Sequence, residues 1–97
     1  MSTNSTFSHT KPAPGAPFWD APQAVKDYIA TNYINTGKMV EMETYSDDGK
    51  TRTVVQTFRD EASKAEWFAD TILQENARNR QAWIAAQGHQ EDYPDSK

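Results

Sequence analysis

Apolar and polar positions alternate along this chain with two different periods, and the switches between them outline its elements. Val25, Tyr28, Ile29 and Tyr33 fall on one face at helical spacing. Ahead of them Asp20 is placed to cap a helix, Pro22 suits its first turn, and Gln23 stands where a capping-box partner reaches back. Trp19, just before the cap, can pack against Ala24 as a hydrophobic staple, and Gly37 supplies a stop.

The period then drops to two. "KMVEMETYSDDGKTRTVVQTFRD" carries alternating, β-branched positions around a central turn, the pattern of a hairpin. Two registers compete. A two-residue Asp48-Gly49 turn pairs Met42 with Val55 and sets Val54 and Phe58 on the opposite face. A three-residue Asp47-Asp48-Gly49 loop, with Gly49 in the left-handed bulge position, pairs Met42 with Val54. The second gathers Val40, Met42, Val54 and Phe58 on one side and Glu41, Glu43 and Thr53 on the other. Because a one-residue slip moves each apolar side chain to water, burial favours the bulged turn.

Helical spacing returns after Asp60, a second capping residue, with Glu61 favourable to the dipole in the first turn. Ala65, Phe68, Ala69, Ile72 and Leu73 form a stripe with Trp67 beside it. "QENARNRQ" interrupts the stripe without Pro or Gly. One helix to Gln87 and a break at Asn79 before Trp83, Ile84 and Ala85 are both open, and Gly88 ends the helical part either way.

The flanks look different. Residues 1–17 are Ser/Thr-rich and then rich in Pro, Ala and Gly, and Pro12, Pro14 and Pro17 favour extended backbone. They read as an extended or disordered arm, anchored if at all by Phe7 and Phe18, and deletion of residues 1–17 is expected to leave the domain folded. Residues 18–88 read as one globular domain and residues 89–97 as an acidic, mobile tail. The fold class is therefore α+β, a small α-β-β-α(-α) unit with one antiparallel hairpin covered by helices. A lone hairpin is marginal in water, so helices or a second copy must cover it.

Composition narrows the function. The 97 residues suit a single domain, and three Trp, four Phe and four Tyr enlarge an otherwise small core. Fourteen acidic against ten basic residues give a net charge of −4, which argues against nucleic-acid binding by bulk charge. Cysteine is absent, which removes disulfides, thiolate metal sites and cysteine nucleophiles. No secretory leader is visible and no apolar run approaches the ~20 residues of a membrane span, so a cytoplasmic protein that meets no membrane is the expectation.

Chemistry is hard to find. Asp47 and Asp48 suit a turn, and a calcium loop would need further oxygen ligands where Lys50 and Arg52 stand. His9 and His89 fall in the expected arm and tail, and no phosphate loop, nucleophile elbow or HExxH is present. Neither catalysis nor a cofactor is expected. Arg78 and Arg80 near Trp83 form the one candidate nucleic-acid patch, thin beside so many acids. Protein binding fits better, with Phe7, Phe18, Trp19, Glu41 and Glu43 as candidate contacts and Trp67 and Trp83 assigned to the core.

The stretch "VVQTFRDEASKAEWFADTI", a strand running into a capped helix with aromatics in its second turn, resembles segments of short uncharacterised proteins of tailed bacteriophages. The resemblance implies a compact accessory or virion-associated protein acting by binding a host or viral protein. It carries over no active residues. The leading expectation is thus a non-enzymatic protein-interaction module, in host cytoplasm or virion if viral. The alternative is a structural component that self-assembles by pairing its hairpin edge with its own copy.

Overall fold

The computed structural model describes residues 3–93. It is a small α+β domain in which three helices lie on one face of a four-stranded antiparallel sheet. In chain order the elements are β1 (Thr3–Thr10), α1 (Gln23–Ile29) continued by a π-helical turn (Ala30–Ile34), β2 (Met39–Tyr45), β3 (Thr51–Phe58), α2 (Glu61–Ala69), α3 (Thr71–Ala86) and β4 (Gln90–Asp92). The strand order is β2-β3-β1-β4. Among the described residues no helix is long and apolar enough to cross a membrane.

The largest departure from the sequence reading lies at the ends of the chain. Thr3–Thr10, expected within an arm, is a central strand paired with β3 along its full length, Thr3 opposite Phe58 and Thr10 opposite Thr51. Its other side pairs with β4, which is formed from the expected tail and sets His9 opposite Glu91. The prolines begin only after β1, in a loop drawn together by Lys11. That side chain is 6% exposed, and its Nζ donates to the carbonyls of Pro14, at 2.8 Å, and Ala16. Asp95, also assigned to the tail, lies outside the described residues.

The hairpin register is the one that burial argued against. Met42 pairs with Val55 and Glu43 with Val54. The loop is neither of the two expected: it runs over four residues, 47–50, closed by Ser46 N–H donating to Thr51 C=O at 2.9 Å. Gly49 takes the left-handed conformation, φ 73°, that the turn needs. Lys50 is left out of the β2 ladder, and its carbonyl accepts from Lys11 N–H instead, at 2.9 Å. Val40 and Met42 consequently stand on the open face, each 64% exposed, while Met39, Glu41 and Glu43 face the helices with Val54 and Phe58. The bulged register would suit a core running along the whole of β2, but only Met39 reaches one.

The core sits at one end of the sheet. Tyr33, Met39, Phe58 and Leu73 are buried together, and Val25, Tyr28, Ile29 and Trp67 pack around them. The Trp67 ring meets Tyr33 edge-on at 4.9 Å and Phe58 at 5.9 Å. Helix starts differ in how well they were legible. Asp60 caps α2, its Oδ1 accepting from Ser63 N–H at 2.8 Å. Asp20 does not cap α1, which begins after Pro22, and pairs with Lys26 instead. The stretch after Asp60 divides at Asp70 rather than Asn79. Asp70 Oδ1 accepts from Ile72 N–H, while Oδ2 accepts from the hydroxyls of Tyr28 at 2.6 Å and Tyr33 at 2.8 Å. One carboxylate therefore starts α3 and ties it to the first helix.

Candidate functional site

Between the helices and the sheet, beyond the core, a cleft of about 270 Å³ remains open. Its sheet wall is built from Ser5 and Phe7 of β1, Glu41 and Glu43 of β2, and Arg52, Val54 and Gln56 of β3. The opposite wall comes from Ile29, Trp67 and Leu73, with Asn76, Ala77 and Arg80 of α3, and the loop Trp19–Ala21 closes one side. Four of the five residues singled out as partner contacts, Phe7, Trp19, Glu41 and Glu43, thus line a single cavity. Phe18, the fifth, packs behind it, 5.7 Å from Tyr45 and edge-on to His9 at 5.1 Å.

The charges around the cleft are unevenly satisfied. Lys26 pairs with Asp20 at 2.7 Å. Arg80 Nε donates to Glu91 at 2.7 Å, its guanidinium lies 4.6 Å from the centre of the Phe7 ring, and it also donates to Tyr93 Oη at 2.6 Å. Arg52 donates to the Trp19 carbonyl at 2.8 Å and lies over the Phe18 ring. Glu41 and Glu43 are exposed at the cleft's rim and have neutral donors only. Gln56 Nε2 reaches Glu41 at 3.2 Å and the Tyr45 hydroxyl reaches Glu43 at 3.1 Å. Among the described residues no cation pairs with either carboxylate. Two further lining residues carry buried polar atoms without a partner, Arg52 Nε and Asn76 Oδ1.

The backbone of β2 adds a second feature. Lys38 C=O accepts from Arg59 N–H, and Ser46 N–H donates to Thr51 C=O, so positions 38 and 46 both face β3. By antiparallel alternation Val40, Met42 and Thr44 also bond to β3, whereas Glu41 and Glu43 turn their N–H and C=O groups outward. β2 is an outer strand of the sheet, so these groups form a free edge directly above the cleft.

Beyond the cleft lies a histidine cluster. His9 is fully buried, and its Nε2 shares a 2.8 Å hydrogen bond with His89 Nδ1. The rings of Phe18, Trp83 and His89 surround it. His9 Nδ1 has no partner. A bare buried acceptor costs less than an orphaned N–H, so the proton belongs on Nε2, donated to His89. Burial first, then the neighbouring His89 and Arg52, lowers the His9 pKa from 6.5 to about 4. A ring so enclosed and so weakly basic makes a poor general base for a substrate in solution.

Other candidates resolve into structure. Asp48 Oδ1 accepts from Ser46 Oγ at 2.7 Å and Lys50 N–H at 2.9 Å, and these bonds hold its carboxyl below the ordinary 3.8. Arg78 is exposed, but Arg80 is committed to Glu91 and Tyr93, and Trp83 packs on the histidines. The three residues of the candidate nucleic-acid patch thus stand apart in role, Arg78 open to solvent and Arg80 and Trp83 engaged within the fold. Arg52, Asn76 and Tyr93 are not apparent from the sequence: Arg52 meets Trp19 and Phe18, and Tyr93 meets Arg80 and Phe7, all distant in the chain, and no local signal marks Asn76. Compared with family models, with curated proteins and with solved structures, the chain matches none.

Proposed function

We propose that the protein is a non-enzymatic binding module that takes an extended segment of a partner protein as a fifth strand along β2. The observation that carries this reading is the outward-facing main chain of Glu41 and Glu43 above an open cleft. Main-chain pairing along such an edge supplies affinity, and alternate side chains of the added strand supply specificity. The accessory role implied by the resemblance to bacteriophage proteins suits such a module.

Proline replaces an outward N–H on an edge strand without disturbing the ladder behind it. Immobilised full-length protein should retain one stoichiometric partner from a lysate of the source organism or its host. Glu43→Gln should keep that partner and Glu43→Pro should lose it, with unchanged near-ultraviolet circular dichroism in both. Equal capture by the proline variant would remove the edge from the account. A second reading, pairing of β2 with its own copy, draws on Val40 and Met42 exposed beside the same edge. It predicts a solution mass that rises with concentration and falls back to the monomer in Glu43→Pro.

A further inference from the structure

We infer that the segment docked on β2 carries two basic residues separated by one apolar residue, a lysine or arginine opposite each of Glu41 and Glu43. The inference rests on the edge reading above and specifies its ligand. In an antiparallel ladder, directly opposite residues that exchange hydrogen bonds put their side chains on the same face. Glu41 and Glu43 turn both their main-chain groups outward and their side chains toward the cleft. Whatever pairs with them must therefore place its own side chains at the cleft mouth beside two carboxylates.

Those carboxylates are the acids of the cleft without an ion pair, since Asp20 is held by Lys26. Lys26 and Arg80 are held in ion pairs of 2.7 Å, and Arg52 is held by the Trp19 carbonyl and the Phe18 ring. Acidic side chains opposite Glu41 and Glu43 would repel them, and apolar ones would strip them of water without replacement. Basic side chains satisfy them, and their aliphatic stems suit the Trp19 and Phe7 surfaces that line the cleft. The residue between the two faces the open side of the sheet beside Met42, which is 64% exposed, and an apolar side chain there covers it. The net charge of −4 draws the same segment in.

The test is a selection of displayed random nonapeptides on the full-length protein and on Glu41→Lys/Glu43→Lys, with backbone amide exchange followed for the enriched peptides. Wild type should enrich basic–apolar–basic sequences, and the charge-reversed variant should enrich acidic pairs at the same spacing. A synthetic peptide of the enriched sequence should lose roughly 3- to 30-fold in affinity against Glu41→Gln/Glu43→Gln, and its binding should weaken with salt. Enriched peptides that slow exchange at the Glu41 and Glu43 amides but carry no basic pair would overturn the inference and leave the edge reading standing. Enriched peptides that protect no β2 amide, or no enrichment at all, would overturn both.

Discussion

The two ends of the helix-covered sheet face are built from opposite materials. At one end Tyr33, Met39, Phe58 and Leu73 close into a dry core, with Trp67 set edge-on against two of the rings. At the other, the equivalent sheet positions carry His9, Arg52 and Tyr45 in β1, β3 and β2, and the space above them is filled by His89, Trp83 and Phe18. The first end is held chiefly by apolar burial, with Asp70 tying its helices at the margin, and the second chiefly by hydrogen bonds and contacts among polar rings that tolerate little rearrangement. Between them neither material closes the gap, and the cleft is what remains. A binding site can lie there because the core fixes one end of each wall and the polar cluster fixes the other.

Removal of β1 disrupts the molecule most completely, since that strand alone pairs with both β3 and β4. Deleting residues 1–10 takes away the partner of β3 on one side and of β4 on the other, together with buried Ser5 and His9. What remains is a hairpin with one face half covered, which is marginal in water. The shortened chain should lose its cooperative thermal transition. If it melted sharply near the parent temperature, the dry end alone would be the folding unit.

That expectation reverses what the sequence suggests, and the reason is physical. A strand is recognised from alternation of apolar with polar residues, but the inward positions of β1 are Thr3, Ser5, Phe7 and His9, and only one of these is apolar. Its outward hydroxyls bond across to β3, Ser8 to Thr53 at 3.2 Å and Thr10 to Thr51 at 3.0 Å. No hydropathy pattern shows that. The hairpin, the α2 cap and the Gly37 stop were legible because each depends on local chemistry, capping or turn dihedrals. The break at Asp70 was not, because it depends on Tyr28 and Tyr33, some forty residues away. Candidate contacts were found where aromatics and acids stood out, yet their convergence needed a register the local pattern misassigned.

Asp70 gives the next largest effect, confined to the dry end. Its burial alone would raise the pKa, but hydrogen bonds from Tyr28, Tyr33 and the amides of Ile72 and Leu73 outweigh it and hold the carboxyl below 3.8. Asp70→Ala removes the α3 cap and leaves the buried Tyr33 hydroxyl only the Glu66 carbonyl at 3.4 Å, and should cost about 2–4 kcal/mol in urea denaturation. Asp70→Asn keeps an acceptor oxygen and should recover part of the loss. The folded carboxyl is the stronger acid, so its stabilisation is present above the unfolded value of 3.8 and is lost as pH falls through the lower folded one. Asp60, held at about 2 first by the Ser63 side chain and backbone, titrates the same way.

The histidine end should answer to acid earlier, and this separates the two ends in one experiment. His9 is neutral in the fold down to about pH 4, whereas the unfolded chain binds that proton near 6.5. Above 6.5 the two states carry the same charge and His9 gives no pH dependence. Between 6.5 and 4 only the unfolded state takes the proton, so stability falls, by on the order of 2 kcal/mol once solvent screening is allowed for. Below 4 the His9 contribution is flat and the carboxylates take over. Urea midpoints measured from pH 7.5 to pH 3 should therefore show two declines, and His9→Gln should abolish the upper one while leaving the lower in place. Asp70→Ala should spare the upper decline and shrink the lower one to the part that Asp60 and Asp48 contribute. An upper decline that survives in His9→Gln would mean that another group carries it, and that His9 is not the residue whose burial sets the acid response of the polar end.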